Sequence, residues 1–484
     1  MIRSQLRCPP FVWLVVSSLA INGVCSGYAA DWPQFRGPRF GAAVGDQTLP
    51  MDIAPTRHVI WKAELPPGHS SPVIVGQRIF VTGVRDGKQL LTIGLDRATG
   101  KVVWEREAPY EKLEAIHRIG SYAQCSPASN GARVVSFFGS SGLYCYDMEG
   151  QLQWKVAMGP FNDEFGAASS PLIVEDRVIV GQDHDTGSFL AMYRLSDGQE
   201  IWKRDRSEFS RSFGSPVVWH VAGEKQIVVA GMLRVCGYSW DSGEETWTVR
   251  GLSRVVCPTP VVGNDNVLYL AAWSAGGDPG ERLALEPFPQ AVAKMDANRN
   301  GTFEKDEITE GPLQTRFAQC DRNKDGRVTR SEYDEFEMLF DRSQNVMLAI
   351  RPGGKGDVTD THVVWKYEKT VPFCASPVLH KGWLFSVKDG GILACVDAKT
   401  GRPQKTGRVA ATGNYYASPV AGDGKLYLFN ERGQLSVVSA DGSWEVLHSE
   451  DFGEDVYGSP AIVDGRIYVR TEGHLYCFGL GDKA

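Results

Sequence analysis

One segment constrains this chain more than any other feature. SPVIVGQRIFVTGVRDGKQLLTIGLDRATGKVVW, residues 71–104, is a repeat unit whose copies fill most of the sequence. Val73 to Val75, Ile79 to Thr82, Leu91 to Leu95 and a last run ending at Trp104 are short apolar stretches rich in β-branched residues. Gly76-Gln77-Arg78, Asp86-Gly87 and Ala98-Thr99-Gly100 separate them with residues that tolerate positive φ, the pattern of an antiparallel meander. Proline fits at the head of the first strand, where a missing N–H costs no ladder bond. Prolines recur in this phase at Pro72, Pro127, Pro171, Pro216, Pro260, Pro377, Pro419 and Pro460, separated by 55, 44, 45, 44, 117, 42 and 41 residues. All but one of these separations suit four-stranded propeller blades of roughly 40–50 residues. The exception is one blade plus an insert. A Gly-x-x-x-Trp ending closes four units, from Gly100 to Trp104, Gly150 to Trp154, Gly198 to Trp202 and Gly243 to Trp247. Trp365 and Trp444 mark the same place in two more, and the unit with Thr400-Gly401-Arg402-Pro403 lacks its Trp.

A sheet of four such strands cannot bury both faces, so each blade must lie against neighbours, and only a closed ring gives every blade two. The expected fold is all-β, an eight-bladed β-propeller of four-stranded antiparallel blades. Its last unit stops at Leu475-Tyr476-Cys477-Phe478 without a fourth strand, whereas His58-Val59-Ile60-Trp61-Lys62 is a fourth strand without a unit. The N-terminal strand is therefore expected to complete blade eight. The organisation that follows is an N-terminal strap at 31–57, a closing strand at 58–65, blades to 274, an insert at 275–344 and the remaining blades to 480.

Residues 1–30 read as a secretory leader: Arg3 and Arg7, an apolar core from Phe11 to Ile21 too short to span a membrane, and small residues before a cut near Ala29 or Ala30. Asn22-Gly23-Val24 is a poor approach to Cys25 for a lipid anchor, so the expectation is a periplasmic or secreted protein without one. A net charge of −7 argues against nucleic acid or an anionic membrane surface as partner. Eight cysteines remain after the leader, and Cys145, Cys395 and Cys477 share a phase on third strands, which suits buried free thiols rather than a disulfide framework. Trp32 to Pro38 reads as an extended strap on the ring. Asp183-His184-Asp185 could bind a metal, but it falls where the first unit has Asp86-Gly87, so a polar turn is expected.

The insert is the helical, strongly charged region. Asp296, Asn298, Asn300, Glu304 and Glu307 stand at positions 1, 3, 5, 9 and 12 of one loop, with Gly301 at 6. Asp321, Asn323, Asp325, Thr329 and Glu332 repeat that order around Gly326. This is the EF-hand pattern: Ca²⁺ takes about seven oxygens, from short side chains at alternate positions, a main-chain carbonyl at position 7 (Thr302, Arg327) and a bidentate Glu at 12. Two acidic surface turns are the alternative. Phe303 and Val328, both at position 8, can pair and couple the loops. Short helices are expected around Ala291, Val292 and Met295, around Leu313 and Phe317, and around Phe336, Leu339 and Phe340, with the connecting helices interrupted at Gly311-Pro312.

Because the insert joins the second and third strands of blade five, it should stand over the face where the residues before each proline converge. His69, Gln124, Phe213, Cys257, Cys374, Tyr416 and Tyr457, with Arg211, Arg254 and Asp455 close by, form a candidate funnel there. Aromatics and arginines suit a sugar, aromatic or carboxylate-bearing ligand. The alternative is that they line the ring and satisfy one another or hold water.

The phrase S-P, apolar run, G-x-x-[FVY], D-G, L-x-x-[LV]-D-x-x-T-G-x-x-x-W, best seen from Ile93 to Trp104, resembles the repeats of the pyrroloquinoline-quinone-type β-propellers from about Trp61 to Phe478. That family includes eight-bladed quinoprotein alcohol dehydrogenases and the propeller lipoprotein of the outer-membrane barrel-assembly machinery. The resemblance implies a fold more than an activity. Its quinone-using members carry adjacent cysteines over the cofactor, and no Cys-Cys occurs here; nor does a matching motif place their Asp base or their Glu and Asn calcium ligands. G-x-S-x-G, H-E-x-x-H and phosphate-loop motifs are also missing. The sequence is thus read as an exported, calcium-binding propeller serving as a binding or scaffolding module, with a protein, sugar or carboxylate partner. A quinone-dependent oxidoreductase and a polysaccharide-acting enzyme are the alternatives.

Overall fold

The computed structural model describes residues 31–45, 48–278, 280–281 and 285–481; the leader and Cys25 lie outside these residues. Eight antiparallel sheets follow one another in chain order, and their first strands meet around a central axis. Blade one is Val73–Val75, Arg78–Arg85, Gln89–Asp96 and Val102–Glu107. Blade eight is Ala461–Val463, Arg466–Arg470 and His474–Phe478, completed by Val59–Glu64, so the two ends of the ring close in one sheet.

The Gly-x-x-x-Trp ending works across blades rather than within one, except at Trp247, whose indole N–H donates to Gln226 Oε1 (2.7 Å) of its own blade. The Trp61 indole N–H donates to Arg97 O (3.0 Å) in the next blade, Trp104 to Met148 O (2.9 Å), Trp154 to Leu195 O (2.8 Å), Trp202 to Trp240 O (3.1 Å) and Trp365 to Ala398 O (2.8 Å). Each of these indoles lies on the turn glycine of the following blade; a Cβ on Gly100 (φ 73°) would meet the Trp61 ring at 2.4 Å. The glycine and the Trp of one unit therefore serve two different seams. Trp444 departs from expectation. Its blade's fourth strand is Val446–Asp451, and His448 holds the Trp register opposite Val437. Trp444 sits in the preceding turn with the Lys405 ammonium 4.6 Å over its ring. Lys405 occupies the Trp register of blade six and donates to Ser443 O (3.1 Å), so the neighbour supplies the indole that blade six lacks.

The strap is not extended. Residues 34–41 are a run of turns, with Gly37 (φ 64°) folded under the Trp32 ring and Gly41 at φ 97°. It crosses the axis: Trp32 N–H donates to Ile74 O (2.7 Å), Ser129 N–H to Pro33 O (2.8 Å), Arg36 Nη2 to Pro377 O (2.5 Å) and Ala43 N–H to Ala421 O (2.7 Å). These contacts reach blades one, two, six and seven.

The insert leaves after Leu268–Ala272 and returns at Val346–Ile350. It contains α1 (Phe288–Met295), α2 (Pro312–Cys320) and α3 (Arg330–Arg342), and Phe303 pairs with Val328 as the loop pattern requires. Phe288, Phe303, Val328, Tyr333 and Phe336 form its own small core. Only one helix connects the loops. Residues 305–311 are non-helical, because helix formation waits for Pro312 at the first helical position. A second excursion was not foreseen: Gly356–Asp357 adds a fifth strand, parallel, to blade four and is followed by α4 (Thr359–His362).

Candidate functional site

The two insert loops hold their acidic side chains by one shared scheme. In the first, Asp296 accepts the N–H groups of Asn300 (3.1 Å) and Gly301 (2.8 Å), Asn298 accepts that of Asn300 (2.9 Å), Asn300 that of Thr302 (2.8 Å), and Glu307 those of Ala297, Asn298 and Glu304 (3.1 Å each). In the second, Asp321 accepts from Asp325 (3.1 Å) and Gly326 (3.0 Å), Asn323 from Asp325 (2.9 Å), Asp325 from Arg327 (2.9 Å), and Glu332 from Arg322 (3.1 Å), Asn323 (3.4 Å) and Thr329 (2.9 Å). Position 4 is left-handed in both, Arg299 and Lys324 at φ 58°, as is the glycine at 6. The side-chain oxygens at 1, 3, 5 and 12 are thereby turned into the loops. Each oxygen that accepts one N–H keeps a second lone pair, and such a donor set fits a hard cation.

The second loop is fastened to the propeller. Arg322 donates to Ser207 O (2.8 Å), and Lys324 reaches Asn162 and Asp185 (3.1 Å). The Asp-His-Asp turn is therefore not solvated. Asp183 is paired with Arg206, His184 packs between Phe161 and Phe189, and Asp185 bridges Lys324 and Arg211 (2.7 Å), so the three side chains diverge to separate partners.

Over the axis lies a cavity of about 500 Å³. His69, Gln124, Arg211, Phe213, Arg254, Cys257, Cys374, Tyr416 and Tyr457 all line it, as the convergence of the entering segments predicts. Asp455 does not; it faces Arg432 at 3.5 Å. Gln319 of α2 lines the cavity too, which puts the insert over this face, and Phe35 brings the strap to the same cavity. His69 stacks on Tyr457 (centroids 3.9 Å), Tyr457 lies tilted against Tyr416 (5.5 Å), and Trp273 meets Phe373 edge-on (5.3 Å). Arg211 is neutralised by Asp185 and Glu164 (2.9 Å). Arg254 has no carboxylate among the described residues: it touches Ala275 O (3.4 Å) and lies 4.6 Å over Phe340. Burial, then Arg316 and Arg211, pull its guanidinium down to about 10.

A feature of the wall escaped the sequence reading, although its signal was present at every repeat. The residue before each phase-marking proline carries a hydroxyl, Ser71, Ser126, Ser170, Ser215, Thr259, Ser376, Ser418 and Ser459, and each hydroxyl accepts the backbone N–H of its counterpart in the preceding blade at 2.8–3.0 Å. The circle closes from Ser459 N–H to Ser71 Oγ (2.9 Å). All eight line the cavity, and the arrangement leaves their own O–H groups to serve as donors to its contents.

The wall also carries a pH dependence. Burial first, and Arg470 second, push the His69 imidazole from its ordinary 6.5 down to about 4. Between those values the unfolded chain binds a proton that the folded chain refuses, so stability falls as pH drops from about 6.5 to about 4 and is flat below. The loss from this group reaches about 3 kcal/mol at most. A His69→Gln variant is expected to flatten that part of the curve of unfolding midpoint against pH; an unchanged slope would exclude His69 as its source.

Residues 46–220 match the family model described as outer membrane protein assembly factor BamB. No curated protein matches the sequence. Among solved structures the chain is similar to BamB from Moraxella catarrhalis (12% identity, TM-score 0.55, covering 87% of this chain and 99% of that one). It is also similar to a europium-containing methanol dehydrogenase (11%, 0.54, 93% and 98%) and to the computationally designed Ika8 protein (10%, 0.54, 87% and 100%). At such identities these likenesses concern the fold. Among the described residues no helix is long and apolar enough to cross a membrane.

Proposed function

We propose that this eight-bladed β-propeller, whose residues 46–220 match a pyrroloquinoline-quinone-type repeat model, serves as an exported, calcium-binding module that takes a ligand or protein partner in its funnel, with the EF-hand insert bracing the mouth. The observation that carries the calcium reading is the position-by-position identity of the two loop networks. Asp296, Asn298, Asn300, Glu304, Glu307 and the Thr302 carbonyl would hold one ion; Asp321, Asn323, Asp325, Glu332 and the Arg327 carbonyl would hold the other. Bound calcium supplies positive charge that locks the oxygens of each loop together. Lys324 and Arg322 then tie the ordered second loop to the blade three side of the funnel.

For the funnel, an aromatic wall, a circle of hydroxyls and an unneutralised Arg254 suit a sugar or a carboxylate-bearing ligand, including an acidic side chain of a partner. What favours binding over catalysis is the make-up of the wall. Its polar groups are hydroxyl, thiol, amide, imidazole and guanidinium, set among aromatic and aliphatic side chains, and no Asp or Glu side chain belongs to it among the described residues. Glycoside hydrolysis uses a pair of carboxylates, and the quinone-dependent alternative needs a carboxylate base and a calcium-ligating carboxylate beside its cofactor. The residues present do not fit either.

Isothermal titration of the chain from Asp31 onward with Ca²⁺ is expected to give two ions per chain, and Glu332→Gln to remove one of them. Chelation should lower the melting temperature by mass action. Absence of heat at millimolar Ca²⁺, with no shift in melting temperature, would sink the calcium reading.

A further inference from the structure

Cys257 and Cys374 stand apart from the other described cysteines. The remaining six are buried, whereas these two are partly exposed and both line the funnel. They come from adjacent blades at matching places, each two residues ahead of a ring hydroxyl, and those ring residues are joined by the Thr259 N–H to Ser376 Oγ bond (2.9 Å). The two entering segments thus run side by side, with the Cys257 side chain next to the Cys374 thiol. Cysteines at matching places on neighbouring segments are the arrangement from which a cross-strand disulfide can close. The cavity gives a dissolved reagent access to both.

We infer that Cys257 and Cys374 form a redox-active dithiol, closed to a cross-blade disulfide by a low-molecular-weight disulfide that enters the funnel. The Cys257 thiol loses its proton to water and its sulfur attacks one sulfur of R–S–S–R; that S–S bond breaks, and one RS⁻ leaves with the electron pair and takes up a proton. The Cys374 sulfur, giving its proton to water, then attacks the Cys257 sulfur of the mixed disulfide and expels the second RS⁻. Two protein thiols are oxidised and the reagent is reduced to two R–SH. The order follows from the contact: the neighbouring Cys257, followed by burial, raises the Cys374 thiol well above the ordinary thiol range, so Cys374 reacts second. Closure ties blade five, which carries the insert, to blade six across the wall.

The test uses the chain from Asp31 onward, oxidised glutathione as the reagent and maleimide labelling without denaturant. Two cysteines are expected to label before oxidation and neither after it. The oxidised chain should be lighter by two hydrogens and yield a linked peptide pair containing Cys257 and Cys374, and dithiothreitol should restore both labels. Cys374→Ser is expected to accumulate a glutathione adduct on Cys257, and Cys257→Ser to accumulate none. Labelling of both residues after oxidation, or glutathione adducts without the cross-link in the unsubstituted chain, would overturn the inference.

Discussion

Truncation of Trp61 to alanine is expected to cost about 3–5 kcal/mol, the range for removing a buried indole. Trp61 is nearly buried, lies on Gly100 of blade one, contacts Tyr468 (centroids 6.0 Å) and donates to Arg97 O. Gly100 cannot fill the gap by carrying a side chain, because at φ 73° any Cβ is strained. The loss falls on the seam where the ring is joined. Hydrogen exchange should therefore rise first in His474–Phe478, the strand that Val59–Glu64 pairs with. Val103→Ser, on an exposed position of blade one, is the control and should stay within about 0.5 kcal/mol. Equal urea midpoints for the two variants would refute the role given to the indole.

Asp183→Ala should be comparably damaging, at about 3–5 kcal/mol, for an electrostatic reason. Asp183 and Arg206 are 3% and 1% exposed and meet through two hydrogen bonds of 2.8 Å. Burial by itself would lower the Arg206 pKa, but Asp183 and Tyr238 outweigh it and raise it, so the guanidinium stays charged. Removing the carboxylate strands that cation over Phe209, 3.9 Å from the ring centroid. The double variant Asp183→Ala with Arg206→Met is expected to regain most of the loss, since an apolar pair of similar volume carries no desolvation cost. If the double variant is no more stable than the single one in chemical denaturation, the stranded charge is not the cause.

The blades were legible because each is specified locally: turn residues at fixed offsets, short apolar strands and a proline in phase. The pairing of Phe303 with Val328 in the insert was legible for the same reason, both residues standing at a fixed offset within their twelve-residue loops. What stayed hidden depends on partners far along the chain. Nothing near Trp32-Pro33-Gln34-Phe35 announces that Gly37 must fold beneath an indole, since the reason lies in Ile74, Pro377 and Ala421. Trp444 was misplaced because its place in the repeat shows only that an indole is near a turn. Whether it begins a strand or plugs the preceding blade is decided by Lys405. The eight hydroxyls were visible as letters, but proline's role at a strand head already explained the dipeptide and concealed what its partner does. For the funnel, the period fixed which residues converge, while the charge balance of Arg211 against Arg254 needed the positions of Asp185 and Glu164.

The pairing of Val59–Glu64 with His474–Phe478 also sets an order of assembly. During synthesis the earlier of these strands is finished almost at once and must then wait, edge bare, until nearly every other residue has been made. Contacts so distant in sequence form slowly. The vulnerable interval is therefore the wait itself, and a chain stopped short of His474 would keep an unclaimed strand available to any neighbour with an open sheet.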